Sequence, residues 1–526
     1  MEVLKTVFDW FIGLGGAAIT TLFIVVLSLI VGVRLSKSLE GGLRMGIALA
    51  GMSAVIGLLT NTFAPALQAF VERTGTNLDI LDLGWSQMAL VTWSSLYTVI
   101  FAIICLFVNL VMLFFKWTDT INADVFNIWH LSIIGLLVLY YTKNFFASII
   151  FVIVLYILML INADLVKPKL NTLLGYDDDN ATTSGHPVFL MNPVVMVFDK
   201  LLTKLFPNLD KYDFDEKKLN EKIGFWGSNF AVGIYLGILI GILGRRSVAD
   251  TISMSLTAGV CLELFSIVGG WFGPAMKPLS RGLVAKARKK HTDRKLYVGV
   301  EWTIAAVRPE IWTVANILAP ILMLIAMFLP GNRTLPLGGI ILTALVPSLF
   351  FITGGKVLRM TIIGVILIPI YLWASTGVAE FITNVSKQLN VFPSGLSEAT
   401  QFTSIEAIPQ EKIITILFGK IYQNPEAKGI ILFVVLVLVY FALFIWYAKN
   451  MKKENAVRLK KRKAAAAAEE EEDEVAELAT EEEEKEEVVE KATKADEEDD
   501  EEVAELATET EEKEKEEVAE LATEKG

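Results

Sequence analysis

The polar segment Thr118–His130, TDTINADVFNIWH, connects two apolar runs, Val91–Phe115 and Trp129–Tyr141. It carries Asn127 and His130 into the start of the second run. Polar groups are costly inside a lipid bilayer, and those found there usually mark a transport pathway or a binding site. The segment therefore predicts a polar site among membrane-spanning helices, and the rest of the chain supplies those helices.

The composition is that of a membrane protein. The chain has 526 residues, 53% of them hydrophobic, with a mean hydropathy of +0.52, and several apolar runs approach the ~20 residues that cross a bilayer. Residues 469–526 contain 30 Asp and Glu and six Lys, a net charge of −24. Because the whole chain has a net charge of −12, residues 1–468 have a net charge of +12. Cys105 and Cys261 both fall in apolar runs, so we expect no disulfide framework and no metal cluster. We expect no cofactor and no nucleic-acid partner.

Eleven apolar runs are candidate membrane spans, which predicts an all-α polytopic fold. They are Phe8–Val33, Met45–Leu67, Val91–Phe115, Trp129–Tyr141, Phe145–Ile161, Phe230–Leu243, Ile252–Phe272, Ile311–Leu329, Leu335–Ile352, Met360–Ala374 and Gly429–Trp446. Short cytoplasmic loops retain Lys and Arg. Eleven alternating spans place four basic segments on one side and Arg245-Arg246 on the other, which predicts an outside N-terminus and a cytoplasmic C-terminus. The four segments on the cytoplasmic side are 34–44, 277–295, 356–359 and 460–463.

Some apolar runs are too short for a full crossing, which is typical of broken helices that expose backbone groups to a substrate. They are Trp129–Tyr141, Phe230–Leu243 and Met360–Ala374. The run Pro187–Leu202 contains Asn192-Pro193, which would break a helix, and predicts a re-entrant hairpin buried in protein. The mixed segment Ser375–Lys428 is a second candidate for re-entry.

The C-terminal region differs from the membrane body. Residues 1–450 form the predicted membrane domain, 451–463 a basic juxtamembrane segment and 464–526 an acidic low-complexity tail with repeats of VAELATE. Such a sequence buries too little apolar surface to fold alone. We expect a disordered, solvated tail that transport does not need.

Several short motifs resemble a known permease family. Their order is Asp82-Leu-Gly-Trp85, Thr92-Trp93, Asn127-Ile-Trp-His130, Gly299-Val-Glu301, and Pro330-Gly-Asn332 through Leu335-Pro336. Over about residues 5–445 the chain resembles the galactitol-type IIC permease component of the bacterial phosphotransferase system, a relative of the ascorbate-type permeases. The resemblance implies an eleven-span homodimer in the bacterial plasma membrane, with a scaffold and a transport core that moves as an elevator. It also implies inward transport of a polyol or sugar, which a separate IIB protein, supplied by IIA, phosphorylates.

A polyol needs hydrogen-bond donors and acceptors and an aromatic face, so carboxylate, amide, imidazole and indole groups are expected at its site. Polar groups at the ends of apolar runs and in the motifs meet this need. The expected binding residues are His130, Asn127, His186, Glu301, Trp85 and Thr92. Simpler roles stay open: a helix-end histidine bonded to backbone, an interfacial salt bridge for Glu301, and an interfacial anchor for Trp85. His291 is expected to be a solvated loop residue.

Enzymatic chemistry within this chain has little support. Gly354-Gly355-Lys356 lacks the first glycine and the hydroxyl residue of a phosphate-binding loop, and no Cys/His grouping has metal-ligand spacing. Neither cysteine is an accessible phosphorylation site, so the phosphoryl chemistry is expected on IIB. An ion-coupled secondary transporter of a small polar solute is the alternative function.

Overall fold

The computed structural model describes residues 16–74, 78–122, 124–176, 180–213, 228–290, 295–393, 396–405 and 409–460, together with Thr508, Lys513 and Lys515. Most of these residues are helical. The chain divides into a unit of residues 1–455 and a unit of residues 456–526. The predictions for His291 and for the acidic repeats concern residues outside the described part of the chain.

Fourteen α-helices are described. In chain order they are α1 Gly16–Ile30, α2 Leu35–Thr74, α3 Gly84–Trp93, α4 Leu96–Phe114, α5 Val125–Thr142, α6 Phe145–Leu174, α7 Asn192–Leu205, α8 Asn229–Leu243, α9 Val248–Lys290, α10 Pro309–Phe328, α11 Val346–Thr353, α12 Val357–Gln388, α13 Pro409–Gln423 and α14 Ala427–Lys460. Short 3-10 turns lie at Pro187–Met191, Leu209–Tyr212 and Trp302–Ala305.

The helices agree with the expected polytopic membrane fold. By length and apolar composition, α4, α6, α10, α12 and α14 can each cross a membrane, and α5 and α8 contain shorter apolar helices. The helices α2 and α9 have 40 and 43 residues and extend well beyond the apolar runs within them. Much of the expected basic loop 277–295 is therefore helical, since α9 continues to Lys290. The total of eleven spans stays a prediction.

Three predicted spans have different boundaries in the structure. The run Val91–Phe115 is divided at Ser94-Ser95, where α3 ends and α4 begins. Met360–Ala374 is only part of the 32-residue helix α12, so it is not a short, broken span. Leu335–Ile352 is not one helix, because a strand ends at Pro336 and only the eight residues of α11 are helical at its C-terminal end. Hydropathy alone did not reveal this interruption.

Two small parallel sheets correct the expectation of an all-α fold. The strands are β1 Ile80–Asp82, β2 Thr120–Asn122, β3 Thr182–Ser184, β4 Tyr297–Val300, β5 Thr334–Pro336 and β6 Gln401–Thr403. Sheet A has the order β5-β1-β6 and sheet B the order β2-β4-β3. Strands of three or four residues are too short to show a period-two pattern in sequence. Because the strands in each sheet are parallel, the loops that follow them leave from the same edge.

Asp82 ties together the loops that follow the three strands of sheet A. Its Oδ1 accepts hydrogen bonds from the backbone N–H of Gly84 at 3.0 Å and of Ile405 at 3.2 Å, and its Oδ2 accepts one from Gly339 at 2.7 Å. Gly84 has a φ of +77° and abuts Gly338, whose Cβ position lies 2.4 Å from the Leu83 carbonyl carbon. Only glycine permits this approach of two backbones. The carboxylate thus satisfies donors that irregular backbone would otherwise leave buried and unbonded.

The run Pro187–Leu202 breaks where the sequence predicts. A 3-10 turn covers Pro187–Met191 and α7 begins at Asn192, with Pro193 in its first turn, where a proline N–H is not needed. Ser348 at the start of α11 donates to the Val188 carbonyl at 2.7 Å, which fixes the turn against its neighbour. The break is confirmed, while the re-entrant course of the segment stays a prediction.

Candidate functional site

The ends of the sheet B strands are joined by a network of polar side chains. Asp124, the N-cap of α5, accepts from Phe126 N and from Glu301 N, both at 2.9 Å, and so links α5 to the residue that follows β4. Asn122 Oδ1 accepts from Asn127 Nδ2 at 2.7 Å, and Asn122 Nδ2 donates to Gly185 O at 3.4 Å. These bonds bring the first turn of α5 beside the loop that follows β3.

His130 and His186 meet at this edge of sheet B. Their ring centroids lie 4.5 Å apart, with the ring planes at 78°. His130 lies in the second turn of α5 and stacks on Trp129, and His186 caps the 3-10 turn after β3. The two side chains are buried, with 8% and 4% of their surfaces exposed. The prediction that these two histidines converge is consistent with this geometry.

The hydrogen bonds of the two rings define what each offers a ligand. His130 Nδ1 lies 2.8 Å from the Phe126 carbonyl, which can only accept, so Nδ1 carries hydrogen and Nε2 of the neutral ring is an acceptor. His186 Nδ1 accepts from Val188 N at 3.1 Å, so its hydrogen is on Nε2. His186 Nε2 has no hydrogen-bond partner among the described residues. The pair therefore presents one acceptor and one donor, which together match a hydroxyl group.

Two other expected residues lie in or against the first turn of α5, which precedes His130. Asn127 is fully buried, and while its Nδ2 binds Asn122, its Oδ1 has no hydrogen-bond partner among the described residues. Trp85, which follows β1 of sheet A, packs edge-on against Phe126 with ring centroids 6.4 Å apart. The indole thus reaches the first turn of α5, whose Phe126 carbonyl holds His130. The first turns of α3 and α5 meet here.

Glu301 and Thr92 are engaged locally. The Glu301 carboxylate accepts from the Thr303 hydroxyl, and its backbone N–H is held by Asp124. Glu301 follows β4, and because the Val300 carbonyl accepts from Gly185 N at 3.2 Å, this residue is near the His186 loop. The Thr92 hydroxyl donates to the Met88 carbonyl one turn earlier in α3, at 2.8 Å. The roles of Glu301 and Thr92 in binding stay predictions.

Sequence reasoning missed the first turn of α13. Gln410 Nε2 donates to the Leu190 carbonyl, in the turn after His186, at 3.2 Å, and Lys412 Nζ donates to the Ser404 carbonyl, after β6, at 3.4 Å. Lys412 is 3% exposed. A polar group at the start of an apolar run was the signal that singled out His130. Glu411 and Lys412 are also polar groups at the start of an apolar run, within the mixed segment Ser375–Lys428.

The described residues offer no evident metal or redox site. Within the described ranges, no group of three or more His, Cys, Asp or Glu side chains is arranged to hold a metal ion. Cys105 and Cys261 are free and buried. The imidazoles, amides, carboxylates and aromatic rings gathered here are groups that suit a hydroxyl-rich solute.

A family model described as "PTS system sugar-specific permease component" (EIIC-GAT) matches residues 10–395. The chain belongs to the EIIC-GAT family. It is 25% identical over 402 residues to the galactitol-specific EIIC component of the PTS in Escherichia coli K12, an alignment that covers 75% of this chain and 86% of that protein. It is 24% identical over 452 residues to a putative permease IIC component of the same organism, covering 85% of this chain and all of that protein.

Membership makes this chain a multi-pass membrane permease component of a sugar phosphotransferase system. The polar segment 118–130, both histidines and the Asp82 and Asn332 motifs lie inside the matched residues, so the EIIC-GAT region contains sheet B and most of sheet A. Strand β6, α13 and α14 follow the matched residues, although they complete sheet A and contact the His186 turn. The C-terminal elements of the EIIC-GAT chain are thus part of the same core.

Proposed function

We propose that this permease carries a galactitol-like polyol or a related sugar, and that His130 and His186 bind one of its hydroxyl groups. The observation that supports the proposal is the complementary pair formed by the His130 Nε2 acceptor and the His186 Nε2–H donor, 4.5 Å apart between ring centroids. A hydroxyl can donate to the first and accept from the second. The galactitol-specific name of one relative points to the same class of solute.

The other expected residues complete the proposed site. Asn127 Oδ1, buried and without a hydrogen-bond partner among the described residues, is an acceptor for a second hydroxyl. Trp85 offers an aromatic face to the C–H side of the polyol, since its ring already lies beside Phe126. Glu301 is a further acceptor near the His186 loop, and Thr92, whose hydroxyl hydrogen is bonded to Met88 O, offers its oxygen as an acceptor.

The proposed transport cycle needs other proteins for its phosphoryl chemistry. A IIB protein, itself charged by IIA, phosphorylates the solute as it reaches the cytoplasmic side. We propose a homodimer in the bacterial plasma membrane, with an elevator-like core, an outside N-terminus and a cytoplasmic C-terminus. The basic segment 277–295 is the proposed docking region for IIB. Cysteines placed at the exposed positions Lys37 and Lys143 should then label from opposite faces of the membrane, and labelling from one face contradicts this orientation.

Binding by purified variants tests the site. His130→Ala, His186→Ala and Glu301→Gln should each weaken galactitol binding roughly five- to 150-fold, since losing one partner of a buried hydrogen bond costs about 1–3 kcal/mol. His291→Ala, a matched histidine change in the basic segment, should leave the affinity unchanged. Isothermal titration calorimetry on the detergent-purified full chain gives the dissociation constants. Parent-like affinity in both His130→Ala and Glu301→Gln would show that the site is assigned wrongly.

An uptake experiment separates the proposal from the alternative of ion-coupled secondary transport. Membrane vesicles receive radiolabelled galactitol with or without phosphoenolpyruvate and the soluble phosphocarrier proteins. The proposed function predicts phosphorylated galactitol inside the vesicles, and only when the phosphoryl donors are present. Accumulation of free galactitol driven by an ion gradient alone would favour the alternative.

A further inference from the structure

One carbonyl group of the turn that carries His186 links it to two helices. Leu190 O accepts from Gln410 Nε2 on α13 at 3.2 Å and from the Tyr440 hydroxyl on α14 at 3.1 Å. The same two donors also lie 3.1 Å from Glu411 Oε1. Four polar contacts therefore join Gln410, Glu411, Tyr440 and the Leu190 carbonyl.

These four contacts need four hydrogens, and the donors supply three. The Gln410 amide has two hydrogens, one for Leu190 O and one for Glu411 Oε1. The Tyr440 hydroxyl has one hydrogen for two acceptors. A hydrogen on the Glu411 carboxyl completes the set, because Glu411 then donates to the Tyr440 oxygen and the phenol donates to Leu190 O.

The surroundings of Glu411 suit a carboxyl that carries a proton. The side chain is buried, with 4% of its surface exposed, and it lines a cavity of about 250 Å³ between α6, α13 and α14. Except for Glu411, Thr415 and the Tyr440 hydroxyl, this lining is apolar, from Ile150 to Leu158 on α6 and from Phe433 to Phe441 on α14. Burying an ionised carboxylate in such a place is costly, whereas a neutral carboxyl costs far less.

The charged and titratable neighbours of Glu411 come from several elements. Lys412 follows it on α13, and Tyr440 faces it from α14. The other helices packed along α13 are α5, which carries His130, and α12, which carries Glu380. Glu411 Oε2 and Thr415 Oγ1, one turn apart, have no hydrogen-bond partner among the described residues.

We propose that Glu411 is a proton-binding site that controls how firmly the His186 turn is held. With the proton bound, Tyr440 donates to Leu190 O. When the proton leaves Glu411 for solvent, the phenol hydrogen turns to the carboxylate, which is the stronger acceptor, and Leu190 O keeps only its bond from Gln410. The expected effect on substrate affinity rests on the proposed function of His186. The proton site on Glu411 is independent of that function.

Infrared difference spectroscopy tests the proton site without any substrate. The full chain, reconstituted in lipid, should show a carboxylic-acid C=O band that disappears as the pH is raised. Glu411→Gln should lack this band, and Tyr440→Phe should shift it, because the carboxyl loses its acceptor. Glu310→Gln is the matched control, since the buried Glu310 is paired with Arg308 and should leave the band unchanged. A parent spectrum that Glu411→Gln leaves unchanged, or no titrating band in the parent, overturns the proposal.

Galactitol titrations at several pH values test the coupling to the His186 turn. The parent should lose about two- to tenfold in affinity as Glu411 loses its proton, the effect of one hydrogen bond. Glu411→Gln, whose amide can donate to Tyr440 at every pH, should keep the acid-form affinity throughout. If the parent does not bind galactitol, the proposed substrate is wrong. The proton site on Glu411 is not affected by that result, because the infrared experiment uses no substrate. A pH-independent affinity in the parent, together with a titrating band, would refute the coupling.

Discussion

The role of Asp82 in sheet A gives the sharpest test of the fold. Asp82→Asn keeps an oxygen that can accept from Gly84 N and Ile405 N. It replaces Oδ2, which accepts from Gly339 N at 2.7 Å, by an NH₂ group that cannot accept this bond. The lost charge-assisted bond is worth about 1.5–3 kcal/mol. The two remaining bonds lose their ionic character and weaken by about 1 kcal/mol together. We expect the free energy of unfolding to fall by about 3 kcal/mol.

Asp79→Asn is the matched control, three residues earlier in the same connection. Asp79 is paired with Arg333, and both side chains are nearly half exposed, so its loss should cost less than about 1 kcal/mol. The measurement is an equilibrium unfolding titration with sodium dodecyl sulfate in mixed micelles, followed by tryptophan fluorescence. If the two variants unfold within about 0.5 kcal/mol of each other, Asp82 does not hold the three loops in the way its contacts imply.

Three further changes test the packing, the inner charge network and the tail. Gly237→Ala should destabilise the protein by about 1–3 kcal/mol, because its Cβ position lies 2.3 Å from the Ser255 Cα, whereas Gly57→Ala, with open space around it, should be neutral or slightly stabilising in the same titration. Arg359→Gln should cost about 3 kcal/mol, since the largely buried guanidinium pairs with two aspartates; Arg44→Gln, at an exposed pair, should cost under about 1 kcal/mol. Deletion of residues 464–526 should leave galactitol uptake within about tenfold of the parent, about 1.4 kcal/mol, and a larger loss with normal membrane insertion would show that the tail has a function.

Hydropathy predicted the helices because it reports which runs can lie in lipid, and it failed where a run is interrupted for reasons of backbone geometry. Leu335–Ile352 is apolar enough to be a span, yet Pro336 ends a strand and only eight residues of α11 are helical. Three-residue strands leave no periodic pattern, so neither sheet could be found from the sequence. Their pairing joins segments more than 60 residues apart, such as Leu81 with Leu335 and Phe402.

The candidate site was more accessible to sequence reasoning than the sheets, because a polar group at the end of an apolar run is visible in one sequence. That signal selected His130, His186 and Glu301, which the structure places around the ends of β2, β3 and β4. It does not report which atoms are already bonded. Thr92 was selected with the others, but its hydroxyl serves its own helix.

Hydrogen bonds distinguish a polar group that serves the fold from one that has bonding capacity left for a ligand, which the position in sequence cannot do. Asp82 ends one short strand, His186 follows another, and both are buried. The Asp82 carboxylate accepts from three backbone donors, so its bonding capacity serves the fold. His186 uses Nδ1 for its own turn and leaves Nε2 without a partner among the described residues. Because an unsatisfied buried donor costs about 1–3 kcal/mol, a fold that retains one at the meeting point of two loops favours a ligand that supplies the missing acceptor.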